Sequence, residues 1–175
     1  PSSPIRKLAP YADAAKRNGV HVYHLNIGQP DIKTPQCALD AVKAIDRDIL
    51  EYSPSAGYLG LRTKMVKYYA EYGIYLSPDE IIVTTGGSEA VLFAFLACLN
   101  PGDEIIVTDP FYANYMAFAI SVGAVIKSVK TSIEDGFRLP SIEAFEEQIT
   151  ERTKAILICN PNNPTGYLYS RKEMN

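Results

Sequence analysis

The chain has 175 residues, 47% of them hydrophobic and 21% charged, with a formal net charge of −3. This is the composition of a folded globular domain with a sizeable core, not of a disordered segment. No run of Lys or Arg forms a basic patch, and the longest apolar stretch, residues 90–99, is about one core helix, so neither a nucleic-acid partner nor a membrane span is expected.

Ser3-Pro4 can open a helix, with Ser as N-cap and Pro at the first helical position, that runs to Arg17 and ends at Asn18-Gly19. This segment has little to bury by itself and is expected to pack on another chain. Residues 20–27 alternate apolar and polar and read as a short extended segment, followed by a Gly28-Gln29-Pro30-Asp31 loop. Residues 36–50 read as a helix with Ala38, Val42 and Ile45 on one face. After a loop containing Tyr52-Ser53-Pro54, Leu61, Met65, Tyr68, Tyr69 and Tyr72 recur at helical spacing, a stripe expected in a core or an interface.

Beyond residue 80 the rhythm changes. Residues 81–84, 104–108, 124–129 and 154–159 are short β-branched runs that read as strands. Residues 89–99, 112–122 and 141–150 between them read as helices, the last with Ile142, Phe145 and Ile149 inward. Strands alternating with helices predict an α/β fold: a mostly parallel sheet flanked by helices, with ligands at the carboxyl ends of the strands. Cys37, Cys98 and Cys159 are odd in number, far apart and set among apolar neighbours, which predicts buried thiols in a reducing cytoplasm. His21 and His24 have no second cluster of ligands to complete a metal site.

Three places carry candidate chemistry. Thr85-Gly86-Gly87-Ser88-Glu89 lies between a strand and a helix. Its glycines let backbone approach a ligand, the helix start offers unpaired N–H groups, and Ser88 adds a hydroxyl, which together make a phosphate cradle. The plainer alternative is a turn with Ser88 as N-cap. Asn160-Pro161-Asn162-Asn163-Pro164-Thr165-Gly166 follows the last strand as a rigid polar turn, and a cis bond is expected at Asn163-Pro164. Asp109-Pro110-Phe111-Tyr112 puts aromatic rings at the same edge, with plain core packing as the alternative.

These motifs, with Y-S-P-S-A-G and I-G-Q-P-D, resemble the class I aminotransferases of pyridoxal-phosphate (PLP) fold type I. The resemblance covers the whole chain, and N-P-N-N-P-T-G is its most specific part. It implies pyridoxal 5'-phosphate as cofactor, with Gly87, Ser88 and Glu89 in the segment holding the phosphate. It implies Tyr112 stacked on the pyridine ring and Asn163 hydrogen-bonded to the ring's phenolic oxygen. Gly28 would approach the substrate α-carboxylate, and Tyr52 would reach across a homodimer to the neighbour's phosphate. Residues 1–50 would be the N-terminal arm and part of the small domain, and residues 51–175 the first part of the PLP-binding large domain.

The family's cofactor-bearing lysine follows N-P-N-N-P-T-G in an S-x-x-K motif, and its D-E-x-Y motif supplies an acid for the ring nitrogen. Neither motif occurs in these residues. The chain is therefore expected to be a fragment, inactive alone, of an enzyme moving an amino group from an amino acid to a 2-oxo acid, with aspartate as first candidate. The alternatives are a PLP-dependent carbon–sulfur lyase or related fold type I enzyme, and a non-catalytic fragment or regulator relative.

Overall fold

A computed structural model describes residues 6–25, 28 and 30–175. The chain divides into two compact units, Pro1–Tyr52 and Ser53–Asn175.

In the first unit, α1 (Ala9–Arg17) ends as expected: Asn18 is its C-cap, and Gly19, at φ +77°, turns the chain so that the Val20 N–H reaches the Ala15 carbonyl at 3.0 Å. The expected N-cap at Ser3 lies outside the described residues. α2 (Gln36–Lys43) is shorter than the pattern predicts and stops at Ala44. Its apolar stripe gains little burial, since Val42 and Ile45 are exposed, and a stripe stabilises a helix chiefly when something covers it. No strand forms among the described residues of 20–27.

The first helix of the second unit is α3 (Leu59–Ala70), and Tyr68 in it packs on Tyr72, just past its end, with ring centroids 5.1 Å apart. Both rings are exposed, so the stripe is not core here. Residues 81–84 form no strand among the described residues. They are extended at Ile81 (φ −120°, ψ 126°), but their one tie to another segment is the Val83 N–H on the Ala56 carbonyl at 3.0 Å. A β-branched run needs a neighbouring strand to make a ladder, and none of the described strands runs beside it.

The sheet has three parallel strands in the order β2-β1-β3: β1 (Glu104–Asp109), β2 (Val125–Lys130) and β3 (Thr153–Leu157). The expected α/β parallel architecture is present. β1 is central and buried on both faces, and its side chains alternate between two cores. Ile105 and Val107 join Phe95 of α4 (Gly86–Cys98), its C-cap Leu99, and Ala119 of α5 (Asn114–Ser121). Ile106 joins Val129 and Phe145, the latter from α6 (Ile142–Glu146), on the opposite face. α6 is shorter than expected. Only Phe145 of its predicted inward stripe is buried, while Ile142 and Ile149 are exposed. α7 (Arg171–Met174) opens on a capping box in which the Ser170 hydroxyl and the Glu173 carboxylate each satisfy the other's backbone N–H.

Glu104 is the one fully buried charge of the sheet, at its amino end. It accepts hydrogen bonds from the Thr150 hydroxyl at 2.7 Å and from Arg152 at 2.8 and 3.2 Å, with the Lys127 ammonium 3.9 Å away. Those partners, the Thr150 hydroxyl first and Arg152 next, outweigh the cost of burial and hold its carboxyl below its ordinary value. A carboxyl lowered in the folded state stabilises above its unfolded pKa of about 4.3, and that contribution is lost as pH falls through the folded value. Glu104→Gln should therefore lower the urea midpoint most at neutral pH, and the gap from the parent chain should close on acidification. A gap that stays constant with pH would assign the effect to packing rather than charge.

Candidate functional site

The carboxyl edge of the sheet collects the three sequence motifs. The turn Asn100-Pro101-Gly102-Asp103 joins the end of α4 to the start of β1, closed by the Asp103 carboxylate on the Asn100 N–H at 2.7 Å. Phe95 and Leu99, with Val91 and Leu92, lay the helix back along β1, so its first turn lies toward the strand's carboxyl end. The loop after β1 carries Tyr112, and the loop after β3 carries Asn163.

α4 starts at Gly86, with Thr85 as N-cap, so Ser88 is the third helical residue and not the cap of the plainer reading. No side chain caps the helix through Thr85. The Glu89 carboxylate instead turns back and accepts the Thr85 N–H at 2.6 Å. Among the described residues the N–H groups of Gly87 and Ser88 take no partner, and both residues are exposed. Added side-chain carbons at Gly86 and Gly87 would meet nothing within 4 Å, so the space before these donors is open. A helix of 13 residues with free first-turn donors and an adjacent hydroxyl is a donor set suited to a phosphate dianion. Glu89 can add only its backbone N–H, because its carboxylate is itself an anion already engaged.

Tyr112 is half-buried and held from two directions. Asn114 donates to its hydroxyl at 2.7 Å, and Tyr115 meets its ring edge-on at a centroid distance of 5.4 Å and an interplanar angle of 87°. Burial and the neighbouring Cys159 thiol push the Tyr115 phenol up to about 12. The Cys159 thiol also donates to the Pro161 carbonyl at 3.3 Å. The expectation of three buried thiols is corrected: Cys159 is half-buried, and Cys37 and Cys98 are exposed. At Cys98 an apolar sequence neighbourhood did not place the thiol inward, because α4 is apolar on nearly all sides and only one side of it meets the sheet.

In the loop after β3, Asn160-Pro161 and Asn163-Pro164 are both cis, as is Asp109-Pro110 in the loop after β1. The cis bond expected at Asn163-Pro164 is present. Asn163 is exposed and Asn162 is buried. The side chain of Asn162 donates to the Pro110 carbonyl at 3.3 Å and contacts the Thr165 hydroxyl at 3.1 Å. Tyr169 anchors the same loop from below, its N–H on the Asn160 side chain at 3.0 Å and its hydroxyl 3.2 Å from that of Thr108. The sequence assigned no role to Asn162, Asn114, Tyr115 or Tyr169, although N-P-N-N-P-T-G contains the first and the motif D-P-F-Y-A-N-Y the next two. Tyr52 and Gly28 lie in the first unit, and both are exposed.

A parallel α/β sheet with free helix-start donors, an aromatic ring and an amide at its carboxyl edge defines a class of ligand-binding α/β proteins. The comparisons narrow it: the chain belongs to the family described as aminotransferase class I and II, whose model matches residues 20–175. This family is PLP-dependent. The chain is 38% identical over 159 residues to the aspartate/prephenate aminotransferase of Thermus thermophilus, covering 90% of this chain and 41% of that protein. It is 36% identical to the solved aspartate aminotransferase of Thermotoga maritima, with a TM-score of 0.90 over 99% of this chain and 47% of that one. The solved alanine aminotransferase of Pyrococcus furiosus is also similar, at 36% identity and a TM-score of 0.89 over 98% of this chain and 44% of that one. The chain thus spans less than half the length of these relatives. Its second unit is α/β, with a three-stranded parallel sheet flanked by helices, and these structural neighbours are PLP aminotransferases. Among the described residues, no helix is long and apolar enough to cross a membrane.

Proposed function

We propose that these residues supply the phosphate-holding and ring-facing part of a PLP site, in a protein that transfers an amino group from an amino acid to a 2-oxo acid. The observation that carries the reading is the uncapped start of α4, whose free Gly87 and Ser88 donors lie at the same sheet edge as Tyr112 and Asn163. Gly87 and Ser88 would hold the phosphate through backbone N–H groups and the Ser88 hydroxyl. Tyr112, steadied by Asn114 and Tyr115, would offer its face to the pyridine ring. Asn163 would donate to the ring's phenolic oxygen. When bound, PLP supplies the electron sink that weakens the bonds at the amino acid's α-carbon.

Two further roles belong to the same proposal. Gly28 would bring backbone to the substrate α-carboxylate, and Tyr52 would reach the partner subunit's phosphate in a homodimer. Aspartate is the first candidate donor, since several relatives are named for it. The glycine turn continues as Ser88-Glu89 and offers no cation to a second carboxylate, so a smaller neutral donor stands as the second candidate. None of the lysines here stands in an S-x-x-K motif, so these residues alone are not expected to transaminate.

The reading is tested by titrating the chain with pyridoxine 5'-phosphate, which lacks the reactive aldehyde, and following backbone amide resonances. The signals of Gly87, Ser88, Tyr112 and Asn163 should shift together and saturate at one concentration; with PLP added in its place, transaminase turnover should not exceed that of free PLP. Shifts scattered over the surface, or none at Gly87 and Ser88, would overturn it.

A further inference from the structure

Asn162 has an environment unlike that of any other polar side chain at this edge. It is only 6% exposed, although both its sequence neighbours are exposed. Its side-chain amide spans the gap between the two loops that carry Tyr112 and Asn163. The Pro110 carbonyl can only accept, so the atom 3.3 Å from it must be the amide nitrogen. That assignment fixes the orientation of the amide and leaves its oxygen buried without a partner among the described residues. The same residue closes its own loop through the backbone. Its N–H donates to the Tyr167 carbonyl at 2.8 Å, and its carbonyl accepts the Gly166 N–H at 2.7 Å.

We propose that Asn162 is a positioning residue that clamps the loop after β1 to the loop after β3 and so sets the spacing between Tyr112 and Asn163. Three observations converge on it. The Asn162–Pro110 bond joins residues 52 apart in sequence, and Pro110 stands two residues before Tyr112. Asn163 is the next residue, so any shift of Asn162 moves it directly. The other contacts that cross between these two regions, the Cys159 thiol beside the Tyr115 phenol and the Tyr169 hydroxyl 3.2 Å from that of Thr108, involve neither Pro110 nor Asn162. A buried acceptor left without a donor costs stability, and such groups persist where the surrounding geometry is itself needed. This inference rests on the PLP reading for its purpose, but not for the clamp itself.

The clamp is tested without cofactor by amide hydrogen exchange on the whole chain carrying Asn162→Ala. Loss of one hydrogen bond of this kind should speed exchange by about tenfold. The acceleration should appear around both loops: at Tyr115, whose N–H donates to the Tyr112 carbonyl, and at Thr131, which follows β2 and donates to the Asp109 carbonyl at the end of β1; and at Gly166 and Tyr169 in the loop after β3, while Ile106 and Val107 in the sheet keep their protection. Acceleration confined to Gly166 and Tyr169 would overturn the clamp. Should the sheet amides lose protection as well, Asn162→Ser, which keeps a short donor, is read by the same criterion.

The consequence for the site is read from binding of pyridoxine 5'-phosphate. Asn162→Ala should weaken it several-fold in the parent chain but leave it unchanged where Tyr112→Ala and Asn163→Ala are already present, because those are the residues through which it acts. Equal weakening in both backgrounds would show a merely structural role and overturn the positioning assignment. If the parent chain itself fails to bind the compound, the PLP reading falls, and the exchange experiment still decides the clamp.

Discussion

Gly57→Ala is expected to destabilise the second unit by roughly 2–4 kcal/mol, from left-handed backbone and a steric clash together. Gly57 sits at φ +89° and is buried, with its N–H on the Pro54 carbonyl at 2.8 Å and its own carbonyl accepting from Arg62 at 3.2 Å. An added methyl would stand 2.7 Å from both Cβ and Cγ2 of Val83. The backbone cannot move away freely, because the Val83 N–H is bonded to the Ala56 carbonyl one residue before. Urea unfolding should show a lower midpoint with an unchanged slope. Adding Val83→Ala should recover little, since it removes the Cγ2 contact but keeps Cβ at the same place. A full recovery, or a loss below about 0.5 kcal/mol, would show that the turn can shift.

Ile105→Ala should cost more, about 2–5 kcal/mol, the range for deleting a large aliphatic side chain from a packed core. Ile105 is 0% exposed on the central strand and meets the α4 and α5 side chains at once, so neither layer can close the cavity without pulling away from the other. Set against the 5–15 kcal/mol typical of a whole domain, that loss is a large share of the total. Ile156 of the edge strand β3 is the comparison. It is 50% exposed, and its truncation should cost only about 1 kcal/mol. Equal losses at the two positions would mean that something covers the β3 face in solution.

Part of this was legible in the sequence. The β-branched runs at 104–108, 124–129 and 154–159 became the three strands, within a residue or two at each end. Strand period and helix punctuation are local properties, and Asn18-Gly19, Asn100-Pro101-Gly102 and Gly123 end or turn elements through their own backbone preferences. The motifs that pointed to a PLP enzyme were legible too, because a helix-start cradle and a rigid polar turn are each written in consecutive residues.

What failed was whatever needed a partner. Residues 81–84 have the composition of a strand but, among the described residues, no neighbouring strand to pair with, and Val42 and Ile45 of the α2 stripe stay exposed. Composition sets the chance of burial, and only packing sets which side of a helix is turned inward, so Cys98 is exposed while Leu99, the next residue, is buried. Glu104 is paired with Arg152, 48 residues away, and Asn162 with Pro110, 52 residues away. Sequence alone could place the residue types of the site along the chain. The joining of its loops waited on the fold, because a hydrogen bond between distant residues depends on the sheet order that brings their strand ends side by side.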